Sequence, residues 1–145
     1  MSKIKIERFK GSRSDYWNTP KDLYENVIQL GYIDYNPENS YISPFDSNVN
    51  KYNHKKIFIN PPFSILNKPE WVRTVKGLLE NQNELLLLLP ARTDTKQFHE
   101  LLKLGLCVEF IKGRLKYNDS KPAPFPSLWV YSDYNLIKYF IENKL

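Results

Sequence analysis

The chain is short of the residues that most often carry enzyme chemistry. Among its 145 residues there is one cysteine, Cys107, so no disulfide can close within it. That thiol sits in an apolar run and reads as a buried structural group rather than a nucleophile. The two histidines, His54 and His99, stand far apart with no cysteine pair beside them, which leaves no zinc or di-iron spacing and no expected metal. Of the five glycines, none falls in G-x-G-x-x-G or a P-loop. The longest apolar run, Leu85 to Leu89, is far too short to span a bilayer. Met1-Ser2-Lys3-Ile4-Lys5 has no apolar core of the kind a signal peptide carries. A cytoplasmic protein with no membrane partner is expected.

What remains is ordinary for a globular domain: 41% hydrophobic and 26% charged residues. The length allows one core, not two. Twenty-one basic against 16 acidic residues leave a net charge of +5, compatible with a polyanionic partner without requiring one. Residues 1–15 are basic and polar and read as a loose arm that touches a phosphate backbone or is simply solvated. Residues 16–145 form the expected domain.

The stretch that organises this domain is Lys56-Ile57-Phe58-Ile59-Asn60-Pro61-Pro62-Phe63-Ser64. Its first half is a buried strand by composition. Two successive prolines then end it, because neither offers a ladder N–H. Asn60, Pro61, Pro62 and Phe63 therefore leave the carboxyl end of a strand, where ligands bind in open α/β sheets. An exocyclic amino group on a base is a poor nucleophile, its lone pair being delocalised into the ring. Acceptors for its two hydrogens draw the nitrogen toward a nucleophilic shape. The Asn60 side-chain oxygen and the Pro61 carbonyl are suited to accept them, and Phe63 to stack on an extruded base. Such stacking is worth roughly 1–3 kcal/mol. No general base or metal is needed if the electrophile is an activated methyl.

Taken in order, Thr19-Pro20 reads as a hydroxyl cap followed by proline at the first helical position, opening a helix from Lys21 to Leu30 that Gly31 closes. Tyr32 to Pro37 reads as a short strand that ends at Asn36-Pro37, and Asp34, a carboxylate toward that end, suits ribose hydroxyls or caps a turn. Residues 37–56 read as a long loop or a set of turns, in which Asp46 lines a cofactor's adenine or caps a turn. Lys68-Pro69-Glu70 starts a second helix. Glu84 to Pro90 is a central strand buried on both faces. The following Arg92-Thr93-Asp94-Thr95 lies on the same rim as Asn60: Asp94 or Thr95 caps a third helix, and Arg92 holds a phosphate or pairs with an acid. Cys107 to Ile111 and Ser127 to Tyr131 are strands. Residues 135–145 read as an amphipathic terminal helix.

In this order the segments resemble the phage-type Dam-like DNA N6-adenine methyltransferases. The chain reads Trp17-Asn18-Thr19-Pro20, Asp34, Asn60 to Ser64, Leu88-Leu89-Pro90-Ala91-Arg92-Thr93-Asp94-Thr95 with Phe98-His99, Gly113-Arg114-Leu115-Lys116-Tyr117, and Ala123-Pro124-Phe125-Pro126-Ser127, spanning roughly residues 13–132. The resemblance implies a Rossmann-like α/β fold with a mixed, mostly parallel sheet flanked by helices. It implies S-adenosylmethionine held by Trp17, Thr19, Pro20, Asp34 and Asp46. Catalysis falls to Asn60, Pro61, Pro62 and Phe63. DNA or the base pocket is bordered by Arg92, Thr93, Asp94, Thr95, Arg114 and Lys116, in the bacterial host of a phage or prophage. The implied reaction is methyl transfer to the N6 amino group of adenine in DNA.

Between Gly31 and Gly77 there is no glycine, where enzymes of this superfamily usually bring bare backbone to the cofactor. That absence supports an alternative, a non-catalytic methyltransferase-like protein that binds DNA or a host protein. Enzymes acting on RNA or on a protein glutamine amide share the Asn-Pro-Pro motif and form a third reading.

Overall fold

In a computed structural model of the protein, the structure describes residues 17–145; the basic arm expected over residues 1–15 lies outside them. The described residues form one α/β domain around a five-stranded sheet. Its strands are β1 (Ile33–Asp34), β2 (Lys56–Ile59), β3 (Glu84–Pro90), β4 (Cys107–Phe110) and β5 (Ser127–Tyr131), in the order β1-β2-β3-β5-β4. Helices α1 (Lys21–Gln29), α2 (Pro69–Glu80), α3 (Lys96–Leu102) and α4 (Ile137–Ile141) flank it.

The leucine run explains why β3 is central. Successive side chains alternate between faces. Leu85, Leu87 and Leu89 therefore pack with Ile57, Ile59, Val130, Trp71, Val75 and Leu78 on one face. Leu86 and Leu88 pack with Phe58, Trp129, Val27 and Tyr117 on the other. Both faces are apolar, so both need a covering layer. On the α2 side a 3₁₀ turn, Phe45–Lys51, adds Phe45 and Val49 to the core. It approaches α2 at Gly77, where a Cβ would sit 2.8 Å from Val49 Cγ1.

The sheet is mixed as expected, with β1 to β4 running one way and β5 running against them. β1 with β2 and β2 with β3 are parallel, but β3 with β5 and β5 with β4 are antiparallel. The chain returns through residues 111–126 and inserts β5, reversed, between β3 and β4. A strand buried on both faces reads the same in either direction, so its composition cannot reveal this.

Two helix ends also differ from expectation. Thr19 does not cap α1: Pro20 holds the N-cap position with no side-chain cap. The Lys21 N–H instead donates to the Asp119 carboxylate at 3.1 Å. The terminal helix is a 3₁₀ turn at Tyr134–Leu136 followed by five residues of α4, with Ile141 74% exposed. Cys107, expected to be buried, is half-buried on the edge strand.

The register brings the site together. Asp34 lies beside Phe58, Ile59 beside Leu87, Pro90 beside Ser127, and Phe110 beside Leu128. The carboxyl ends of β1 to β4 and the amino end of β5 thus share one rim. Asp34, Asn60, Arg92 and Phe125 all lie on it. Among the described residues no helix is long and apolar enough to cross a membrane.

Candidate active site

Asn60 is the most constrained polar residue on the rim. It is 4% exposed. Its backbone carbonyl accepts from Asn36 Nδ2 at 2.8 Å and Asn39 Nδ2 at 2.6 Å. Its Nδ2 donates to the Trp17 carbonyl at 2.7 Å and to Thr19 Oγ1 at 3.1 Å. A carbonyl can only accept, so the amide nitrogen must face Trp17. Oδ1 is thereby turned away, buried, and without a partner among the described residues. Buried polar atoms are rarely left so, and each exception asks for a reason.

The two segments that hold Asn60 are themselves pinned. Asn39 Oδ1 accepts from the Trp17 N–H at 3.2 Å. Asn18 exchanges bonds with Asn118: its carbonyl accepts from the Asn118 N–H at 2.8 Å, and its N–H donates to Asn118 Oδ1 at 3.0 Å. Glu38, Asn39, Asn118 and Asp119 all have left-handed backbone, with φ of 60°, 57°, 59° and 51°. Asn and Asp tolerate that region better than most residues. Glu38 does not, and strain of this kind collects at ligand sites.

Beside Asn60 opens a cleft with about 570 Å³ of empty volume. Asn18, Thr19, Tyr24, Asp34, Asn36, Pro37, Glu38, Asn39 and Asn60 line it. Asn18 Oδ1 and Asn36 Oδ1 are, like Asn60 Oδ1, buried and unpartnered among the described residues. Among the described residues the lining therefore offers three unpartnered amide oxygens and the Asp34 carboxylate, and it includes no lysine or arginine. Asp34 accepts from the Asn36 N–H at 3.0 Å. Burial raises its carboxyl above the ordinary aspartate range, against hydrogen bonds from Tyr24 and Asn36 that lower it. Burial, with the Asp34 charge and hydrogen bond added, pushes the Tyr24 hydroxyl up to about 12.

Phe63 is 8% exposed and sits in an aromatic group on the same rim. The Trp17 ring lies nearly parallel to it, with centroids 5.9 Å apart and planes at 17°. Phe125 meets Phe63 edge-on at 5.2 Å and Trp17 at 5.1 Å, and Tyr117 meets Trp17 at 6.0 Å. The Arg92 guanidinium carbon lies 5.6 Å over the Phe63 ring.

The chain matches no family model, no curated protein and no solved structure.

The expected site residues separate into those gathered at the rim and those directed elsewhere. Asn60, Thr19 and Asp34 line the cleft, whereas the ring of Trp17 packs on Phe63 and contributes to the site through its backbone. Pro61 and Pro62 are buried behind Asn60, and half-buried Pro20 opens α1. Asp46 does not belong with the cofactor candidates. It lies against α2 and pairs with Arg73 Nε at 3.1 Å, because the 3₁₀ turn that carries it folds over that helix. Thr95 caps α3 by accepting from the Phe98 N–H at 3.2 Å. The Thr93 carbonyl is hydrogen-bonded to His99 Nε2 at 2.8 Å. Asp94, Arg114 and Lys116 are exposed, and Arg114 Nη1 reaches the Ala123 carbonyl at 3.5 Å. Among the described residues no cluster could hold a metal ion.

Sequence reasoning missed Asn36, Asn39, Asn118 and Asp119. The only signal for the first pair is Asn36-Pro37-Glu38-Asn39 itself, two carboxamides bracketing a proline after a strand end.

Proposed function

We propose that the chain transfers a methyl group from S-adenosylmethionine to the N6 amino group of adenine in DNA, on a Rossmann-like methyltransferase fold. The observation that carries this reading is the unpartnered Asn60 Oδ1, a buried acceptor fixed by four hydrogen bonds on the rest of its residue. Such an acceptor is what an exocyclic amino group needs. Asn60 Oδ1 and the Pro61 carbonyl take the two amino hydrogens and raise the nucleophilicity of the nitrogen. Phe63 is the stacking surface for the extruded base.

The cleft fits the cofactor by its chemistry. The Asp34 carboxylate and the unpartnered amide oxygens, with no lysine or arginine among the described lining residues, favour a ligand bearing positive charge and hydroxyl donors and disfavour one bearing phosphates. S-adenosylmethionine supplies, when bound, an electrophilic methyl on a sulfonium. Asp34 would accept from its ribose hydroxyls, and Asn18, Asn36 and Thr19 offer further polar contacts. The exposed Arg92, Lys112, Arg114, Lys116 and Lys121 suit the phosphate backbone.

The test is transfer of a radiolabelled methyl from S-adenosylmethionine to unmethylated DNA. Wild-type protein is expected to label DNA, and Asn60→Ala to lower the rate by at least ~100-fold, as loss of a transition-state hydrogen-bonding group does. No label above background with wild type refutes the reading.

The glycine-free turn at Glu38–Asn39, held at positive φ, favours a second reading: a non-catalytic relative that binds DNA or a host protein. Calorimetry separates the two, because no heat of binding at about millimolar S-adenosylmethionine (ΔG near −4 kcal/mol at that Kd) supports the second.

A further inference from the structure

Phe63 is assigned the stacking of the extruded base in the reading above, yet its ring is already in contact with Trp17, Phe125 and Arg92. They are not equally free to leave. Trp17 is fixed at its N–H by Asn39 and at its carbonyl by Asn60, and its ring meets Phe125 and Tyr117. Moving it would unmake the clamp on Asn60. Arg92 is anchored only through its backbone: its N–H donates to the Pro90 carbonyl at 2.8 Å, and its carbonyl accepts from Thr95 Oγ1 at 3.3 Å. Its side chain is exposed, and among the described residues no carboxylate pairs with it.

We infer that Arg92 is a two-position residue that covers the Phe63 ring until a base enters and then takes a phosphate of the same nucleic acid. The inference rests on the proposed base site. An exposed cation–π contact is weaker than base–aromatic stacking, so an incoming purine displaces the guanidinium. The displaced guanidinium stays tethered at the carboxyl end of β3, on the rim where a strand carrying that base must lie. It then offers its planar fork to the backbone.

Two roles with opposite signs make this testable. Deoxyadenosine carries the base without a phosphate, and a DNA duplex carries both. The experiment measures kcat/KM for radiolabelled methyl transfer to each substrate, with wild type and with Arg92→Ala. Arg92→Gln, which keeps part of the aliphatic stem without the charge, is the second variant. On deoxyadenosine the variants should gain about two- to fivefold, because the cover is gone. On DNA they should lose roughly three- to tenfold, and the slope of log affinity against log salt should fall by about 1. Changes of the same sign on both substrates, or no gain on deoxyadenosine, overturn the inference while leaving the proposed function standing. Absence of transfer by wild type to either substrate removes both.

Discussion

At the scale of single residues, the site depends on which polar atoms have been used up and which have not. Asn60 spends its carbonyl on two asparagines and its amide nitrogen on Trp17 and Thr19. Only Oδ1 is left for a ligand. Asp34 works differently, because its burial costs stability. Its folded carboxyl is raised, so its contribution to stability is fully present below the unfolded value near ~4 and is lost as pH rises through the folded value. Asp34→Asn should therefore unfold at a higher temperature than wild type at neutral pH. That gain should vanish near about pH 3, where both carry a neutral group. The same variant should bind S-adenosylmethionine more weakly by calorimetry. A variant that is less stable at neutral pH, or that binds the cofactor unchanged, contradicts the role given to Asp34. Asn60 was legible from sequence because two prolines after a β-branched run fix where the strand stops. Asn36 and Asn39 were not, since their partner lies 24 and 21 residues away and a loop sequence does not encode which strand end it folds onto.

At the scale of elements, local signals succeeded where the physics is local. Pro69 at the first position of α2, Thr95 at the N-cap of α3 and Gly31 at φ +93° after α1 all follow from rules that need only neighbouring residues. Thr19 failed because a tertiary partner won: its hydroxyl accepts from Asn60, and α1 begins one residue later under Asp119. Thr95 illustrates the converse. It stands in the segment expected to border the substrate, but its side chain serves the helix. Thr95→Ala should cost about 1 kcal/mol in chemical denaturation. It should leave kcat for methyl transfer within about twofold. A large loss of activity without a loss of stability would return Thr95 to the substrate side.

At the scale of the whole molecule, the cleft's acceptors and the exposed cations of the neighbouring rim loops lie apart. The cleft is lined by Asp34, Glu38 and asparagines, while Arg92 and the loop with Lys112, Arg114, Lys116 and Lys121 expose positive charge beside it. The even composition hid this, because charge sorting depends on which loops share a rim. The buried phenols add a global pH limit. Burial pushes Tyr24 and Tyr117 up to about 12, and raises Tyr32 and Tyr35 as well. Each group keeps its stabilising effect below the ordinary tyrosine value of 10.0 and loses it as pH climbs toward the folded value. Denaturation curves should therefore be flat in this respect up to about pH 9 and weaken steeply above about pH 10. A midpoint unchanged to about pH 11.5 would mean the phenols are not shielded as the packing requires.

The most direct measurement is mass spectrometry of nucleosides from unmethylated DNA incubated with the protein and S-adenosylmethionine. The account predicts N6-methyldeoxyadenosine with wild type and at most a trace with Asn60→Ala of matched stability. Unmodified nucleosides in both samples, or equal methylation by the variant, would contradict it.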